Sequence, residues 1–270
     1  MKNTKNPWLK LSMLLFIWFS LNCQLSFGAD TISANQSLSA NQTLVSSGGN
    51  FVLGFFTPGN SSNYYIGIWF GKVSEQTPVW VANRETPVRD IDSSELKISD
   101  GNLVLFNGSQ VAIWSTNISS NNSSSVVAVL EDSGNLVLRD GPNSSALLWQ
   151  SLDHPTHTWL PGGRLSLNKR TNQSQLLTSW RNSEDPALGL YSLELDPAGT
   201  NSYIILWNRT RQYWTSGAWD EQSQIFNLVP EMRLNYIYNF SFYSDENESY
   251  FTYSLYNREI ISRFIMDYSG

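Results

Sequence analysis

The chain has 270 residues but a single cysteine, Cys23, and only two histidines, His154 and His157. Cys23 sits in an apolar stretch near the N-terminus. The remainder therefore has no disulfide, no thiolate nucleophile and no cysteine-based metal site. Charged residues make up only 15%, too few for the Lys-, Glu- and Arg-rich faces of surface helices. No sustained helical period runs between residues 30 and 160. After residue 28 no run is apolar for the roughly 20 residues that a membrane-crossing helix requires. A glycine-rich phosphate loop, a His-Arg-Asp loop and an Asp-Phe-Gly triplet are all missing, so nothing here carries kinase chemistry. No Ser-His-Asp signature stands out. Glu131 and Asp132, read as strand neighbours, would point to opposite faces rather than form a hydrolytic pair.

What is abundant is aromatic: 11 Trp, 12 Tyr and 13 Phe. That composition suits β-sheets. At the N-terminus, Lys2, Lys5 and Lys10 precede the apolar run 11–28, and the small residues Ser26, Gly28 and Ala29 follow. This is the layout of a secretory signal peptide over 1–28, the rival reading being an uncleaved signal anchor. Cleavage would leave 14 basic residues against 23 acidic ones. So acidic a chain is a poor partner for nucleic acid or anionic lipid. Twelve Asn-x-Ser/Thr sequons follow, at Asn35, Asn41, Asn60, Asn107, Asn117, Asn121, Asn122, Asn143, Asn172, Asn208, Asn239 and Asn247. They point to a glycosylated, secreted surface and mark solvent-facing turns.

One phrase is written three times. DGNLVLFNGSQVAIWSTN (100–117) returns as DSGNLVLRDGPNSSALLWQS (132–151), and a looser copy runs from SSGGNFVLGFF (46–56) to VWVAN (79–83). Asn50, Asn102 and Asn135 open the copies. Trp80, Trp114 and Trp149 close them at spacings of 34 and 35 residues. A fixed period means similar supersecondary units sharing a core. Each unit reads as short antiparallel strands bounded by Gly, Asn and Asp. A lone hairpin is not stable, but three that each give a Trp to one axis can be. The expected architecture is all-β, a pseudo-threefold β-prism or a small barrel. Beyond residue 152 the period is lost while strand-and-turn writing continues. Asp196-Pro197-Ala198-Gly199 separates strands 190–195 and 203–207, Asp245–Glu248 separates 236–243 and 249–256, and a last strand covers 260–266.

The thrice-written Asn-x-Val, once in full as Asp-x-Asn-x-Val-x-aromatic, resembles the repeat pattern of the bulb-type mannose-binding lectins of plants. Residues 30–70 and 78–88, with QSLDHPTHTWLPG (150–162), TSWRNSEDPALGLYSLELDPAG (178–199) and YWTSGAWD (213–220), resemble the S-domain (G-type lectin) receptor kinases and the S-locus glycoproteins. The resemblance covers nearly all of the mature chain. It implies a bulb-type lectin β-prism at 29–151 and a second, incomplete lectin-like β domain at 152–270. It also implies a mannose motif, Gln-x-Asp-x-Asn-x-Val-x-Tyr. In the second copy its positions fall on Ile98, Asp100, Asn102, Val104 and Phe106. In the third they fall on Glu131, Ser133, Asn135, Val137 and Arg139, and in the first on Ser46, Gly48, Asn50, Val52 and Gly54. Only the second copy keeps Asp, Asn and Val, and it lacks the Gln amide and Tyr hydroxyl. Each lost hydrogen bond weakens sugar binding by about 0.5–1.5 kcal/mol. The motif asparagines can instead serve as braces for the hairpins.

The expected role is extracellular ligand recognition, by binding rather than catalysis, with a plain mannose-type lectin as the alternative. The expected ligand is a peptide, a glycan or another extracellular molecule, with homo- or heterodimers of related ectodomains and no membrane contact by the mature chain itself. Recognition of pollen is a role of some relatives. In the family, EGF-like, PAN, transmembrane and kinase regions follow, so an ectodomain fragment or truncated product is expected. No cofactor and no metal is expected. His154 and His157, as His-x-x-His without a third ligand, read as solvated loop residues.

Overall fold

A computed structural model describes residues 29–119, 125–141 and 144–270. The expected signal peptide at 1–28 lies outside these, as do Asn121, Asn122 and Asn143. The described residues are almost entirely β, with no α-helix and two short 3-10 turns, Ser151–Asp153 and Pro230–Leu234. Among them no helix is long and apolar enough to cross a membrane.

The first unit opens with three tiny strands, β1 (Thr31–Ser33), β2 (Ser37–Ser39) and β3 (Thr43–Val45). Each copy of the repeat then supplies three antiparallel strands. The first gives β4 (Phe51–Phe56), β5 (Tyr65–Phe70) and β6 (Pro78–Val81). The second gives β7 (Glu95–Ser99), β8 (Asn102–Phe106) and β9 (Ala112–Ser115). The third gives β10 (Val126–Leu130), β11 (Leu136–Asp140) and β12 (Leu147–Gln150). The result is three separate four-stranded sheets, β3-β4-β5-β6, β2-β7-β8-β9 and β1-β10-β11-β12. This is a prism rather than a barrel.

The opening strands tie the prism together, because each joins a different sheet. Their sequence explains how. TIS-ANQ-SLS-ANQ-TLV (31–45) repeats every six residues, so Ile32, Leu38 and Leu44 enter the core in turn. At each corner a glutamine folds back: Gln36 Oε1 accepts from Ser33 N at 2.9 Å, and Gln42 Oε1 from Ser39 N at 3.0 Å.

The core beneath is aliphatic, with Leu53, Ile68, Leu96, Leu103, Leu105, Leu136 and Leu138 fully buried. At its axis stand the three closing tryptophans. Trp80, Trp114 and Trp149 meet edge to face at centroid distances of 5.8, 6.0 and 6.1 Å. That geometry lets three ring quadrupoles attract one another around one point.

The second unit comprises β13 (Thr158–Trp159), β14 (Arg164–Asn168), β15 (Gln173–Ser174), β16 (Leu177–Asn182), β17 (Asp185–Leu195), β18 (Tyr203–Trp207), β19 (Arg211–Thr215), β20 (Trp219–Asp220), β21 (Ile225–Phe226), β22 (Tyr238–Ser244), β23 (Glu248–Leu255) and β24 (Phe264–Ile265). Two four-stranded sheets, β15-β14-β23-β22 and β16-β17-β18-β19, face each other across an aromatic core. The two turns expected from sequence form. Asp196 O accepts from Gly199 N at 3.1 Å, and Asp245 Oδ1 accepts from Asn247 N and Glu248 N, both at 2.7 Å. The expected last strand at 260–266 shrinks to β24, which pairs with β13 at Thr158↔Ile265.

Candidate functional site

The strand carrying the most complete sugar motif is β8. Asp100 and Gly101, with φ of 49° and 74°, make the two-residue turn that leads into it, the left-handed pair that matches the twist of a hairpin. Asn102 follows, and its side chain is fully engaged. Oδ1 accepts from Ile118 N at 2.7 Å and Thr116 Oγ1 at 3.0 Å, while Nδ2 donates to Ile118 O at 3.2 Å and Asp100 O at 3.3 Å. An amide offers two donors and two acceptor lone pairs, so none remains for a ligand. Thr116 Oγ1 in turn accepts from Leu103 N at 3.1 Å. Asn102 braces the hairpin, as its turn chemistry suggested.

Asp100 stays exposed on its turn, but the Gln, Val and Tyr positions of this copy are taken up by the fold. Ile98 points into the core, so the Gln position does not face the motif at all. The residue paired with Val104 across the hairpin is Lys97. Val104 is buried, and the Lys97 ammonium lies 4.9 Å from the centre of the Phe106 ring while bonding Glu95. That bond lowers the pKa of Glu95.

The third copy repeats the brace. Asn135 Nδ2 donates to Gln150 Oε1 at 2.9 Å, and its Oδ1 accepts from Ser151 Oγ and Leu152 N, both at 3.2 Å. Ser151 Oγ accepts from Leu136 N at 2.9 Å, as Thr116 does for Leu103. Val137 is buried, and Glu131 and Arg139, standing at the Gln and Tyr positions, bond each other as an ion pair. In the first copy Ala82 replaces the hydroxyl residue. Ser46 substitutes from the other strand, its Oγ accepting from Asn50 N at 3.1 Å and Phe51 N at 3.0 Å. Asn50 keeps only a long contact to Asp132 O, 3.5 Å. At Gly54 an added Cβ would lie 2.9 Å from Thr43 Cγ2 and 3.1 Å from Trp69. Thr116 and Ser151 were missed from sequence. The signal was there, a hydroxyl residue two places after Trp114 and Trp149.

Nine sequons lie among the described residues. Asn107 is half-buried, and Asn35, Asn41, Asn60, Asn117, Asn172, Asn208, Asn239 and Asn247 are exposed. Glu131 and Asp132 lie not in a strand but in the β10–β11 turn. Asp132 accepts from Gly48 N with both carboxylate oxygens, at 2.7 and 2.9 Å. One of the two histidines corrects the sequence reading. The His154 ring stacks on Trp149 at 5.1 Å and 10°, and His157 is buried 5.0 Å from Trp180. Burial, with Arg84 and Arg263 nearby, pushes the pKa of His157 down to about 3. His157 is a packing residue, not a solvated one, because the loop that holds it is pressed between the units, whereas His154 stacks on Trp149 yet stays exposed, as its loop position suggested.

That junction is itself built from the motif PVWVANRETPV (78–88). Asn83 holds the turn, accepting from Ile66 N at 2.8 Å and donating to Thr86 O at 2.8 Å. Arg84 then enters the second unit and donates to three backbone carbonyls, Pro186 at 2.7 Å, Ser179 at 2.9 Å and Thr178 at 3.1 Å. Burial lowers its pKa to about 10. Glu85 accepts from Leu188 N at 2.8 Å, Trp80 Nε1 donates to His154 O at 2.9 Å, and Arg263 donates to Pro78 O at 3.1 Å. Phe56 stacks on Trp180. The two units meet as one packed body.

Residues 77–181 match the D-mannose binding lectin family and residues 214–270 the S-locus glycoprotein domain. A G-type lectin S-receptor-like serine/threonine-protein kinase of Arabidopsis thaliana is 54% identical over 266 residues, covering 97% of this chain and 32% of its own length. An S-locus-specific glycoprotein of Brassica oleracea is 39% identical over 280 residues, covering all of this chain and 63% of the relative. The chain thus spans about a third of the length of the kinase relatives it matches. Among solved structures, a monocot mannose-binding lectin from Gastrodia elata matches 46% of this chain and 96% of its own at 24% identity and a TM-score of 0.34. With a lectin domain, an S-locus glycoprotein domain and near-complete coverage by these relatives, the chain belongs to the S-domain (G-type lectin) family of plant receptor-like kinases and S-locus glycoproteins.

Proposed function

We propose that the chain is an extracellular recognition unit that acts by binding, without catalysis, and that it meets its ligand away from the three inherited sugar motifs. The observation that carries this reading is the use of the motif asparagines. All four hydrogen-bonding valences of Asn102 are spent inside the fold. A sugar hydroxyl could replace these partners only by breaking the hairpin brace. The flanking positions offer Phe106 under Lys97 and an internal Glu131–Arg139 pair in place of the Gln and Tyr. Taking residues 29–151 and 152–270 as its two domains, the Arg84 junction supports their acting together as a single surface. The relatives are named as receptor kinases and an S-locus glycoprotein, which supports export with the ligand met outside the cell. The ligand classes that fit are a peptide, a glycan gripped elsewhere, or a second ectodomain.

The test is calorimetric titration of the secreted chain with mannose and a branched oligomannoside, alongside a glycan array. Neither should give a mannose-competed signal. Saturable binding abolished by Val104→Asp, a change at the motif's apolar position, would restore the plain lectin reading.

A further inference from the structure

The sheet face that lost its sugar chemistry is bracketed by sequons. β8, the motif strand of the second copy, spans five residues from Asn102 to Phe106, about 13 Å at the usual strand rise. Asn107 follows Phe106 directly at one end. At the other, Asn117 precedes Ile118, the residue whose backbone Asn102 clamps. The two kinds of asparagine are treated oppositely. Asn102 spends its Nδ2 on the fold. Among the described residues, Asn107 Nδ2 and Asn117 Nδ2 donate to no protein acceptor. Asn107 uses only its oxygen, accepting from Ser109 N at 3.0 Å and Val111 N at 2.9 Å. Among the described residues, then, neither nitrogen is committed to the fold as that of Asn102 is.

The surface between them has a need that a glycan meets. Val111 is 57% exposed, and Phe106 is half-buried on the same β8–β9 hairpin. The apolar faces of N-acetylglucosamine rings pack on such side chains. That contact is weak when the sugar is free, but a tethered sugar acts at high effective concentration.

We infer that the outer face of the second sheet is covered in the mature protein by the chain's own N-glycans, attached at Asn107 and Asn117. The face that binds sugar in a mannose lectin has become one that bears it. This rests on the secreted, glycosylated reading above and adds the place where the glycans lie. It also closes the most intact motif to outside ligands.

The test uses the chain secreted from plant cells. Glycopeptide mass spectrometry first reads occupancy at each sequon. Hydroxyl-radical footprinting then compares the wild type with a Ser109→Ala, Ser119→Ala double variant. Both serines are exposed, their side chains bond nothing among the described residues, and the asparagines stay in place. Glycosidase trimming of the folded wild type gives the same comparison without mutation. Expected are occupied Asn107 and Asn117, and labelling of Phe106 and Val111 that rises severalfold in the variant and after trimming. Thr210→Ala, which removes the Asn208 sequon, should leave that labelling unchanged. Occupied sites with unchanged labelling would overturn the cover. So would empty Asn107 and Asn117 on a chain glycosylated elsewhere, with secretion intact. A chain carrying no glycan at any sequon would instead sink the secretory reading, and the cover with it.

Discussion

The two units reach similar size and strand content by opposite means. The first is written as a repeat, and its polar groups repeat with it: an asparagine, a hydroxyl and a tryptophan recur at fixed places in the second and third copies. The second has no period. Its centre is a cluster of unlike aromatics in which Trp159, Tyr203, Trp219, Phe226, Phe251 and Tyr253 pack largely edge to face or tilted. Tyr203 is wholly buried and bonds across the sheets, donating to Leu165 O and accepting from Phe251 N. Repetition distributes stability over equivalent parts. A single aromatic cluster concentrates it.

Whether the two designs behave as one body gives the largest test. Trp149→Ala in the first core and Phe251→Ala in the second should each lower stability by about 3–5 kcal/mol. With Arg84 and Phe56–Trp180 joining the units, each variant should still unfold in one transition by denaturant titration. Two transitions in either variant would show that the units melt separately and that the junction is only a contact.

A second test looks inside the repeat. Asn102→Ala strands Ile118 and Thr116 and should cost about 2–3 kcal/mol, whereas Asn50→Ala should cost less than about 1 kcal/mol. Equal losses would mean that the braces are decorative. The last test is a pH slope located at the junction. The unfolded imidazole takes a proton below about 6.5, while buried His157 does so only at about 3. The contribution of His157 is therefore complete above about pH 6.5. It is lost as pH falls through that window, by up to about 1.4 kcal/mol per pH unit. Urea midpoints measured across it should drift down in the wild type and much less in His157→Asn.

Much of this was legible in the sequence, and the parts that were not share a cause. The three Asn and Trp landmarks, the strands and both second-unit turns could be read because local chemistry fixes them: left-handed turn residues, alternation and a spacing of 34 and 35. Degeneracy of the sugar motif was also visible as Ile98, Phe106 and Arg139. The direction of the side chains was not. That Ile98 turns inward and Lys97 outward depends on hairpin register, which the Asp100-Gly101 turn sets. The three-residue opening strands went unread although ANQ is written twice, because strands so short form only when a distant sheet accepts them. His157 was misread for the same reason. Nothing within its own loop says that Trp180 and Arg84 will close over it.

The triangle of Trp80, Trp114 and Trp149 has an optical consequence. Three near-perpendicular indoles about 6 Å apart share their excited states, so the prism should carry an exciton couplet in its circular dichroism. No other trio of tryptophans is so gathered among the described residues. The couplet would report on closure of the threefold unit alone, and its loss on denaturation would time the opening of that axis independently of the aromatic cluster next door.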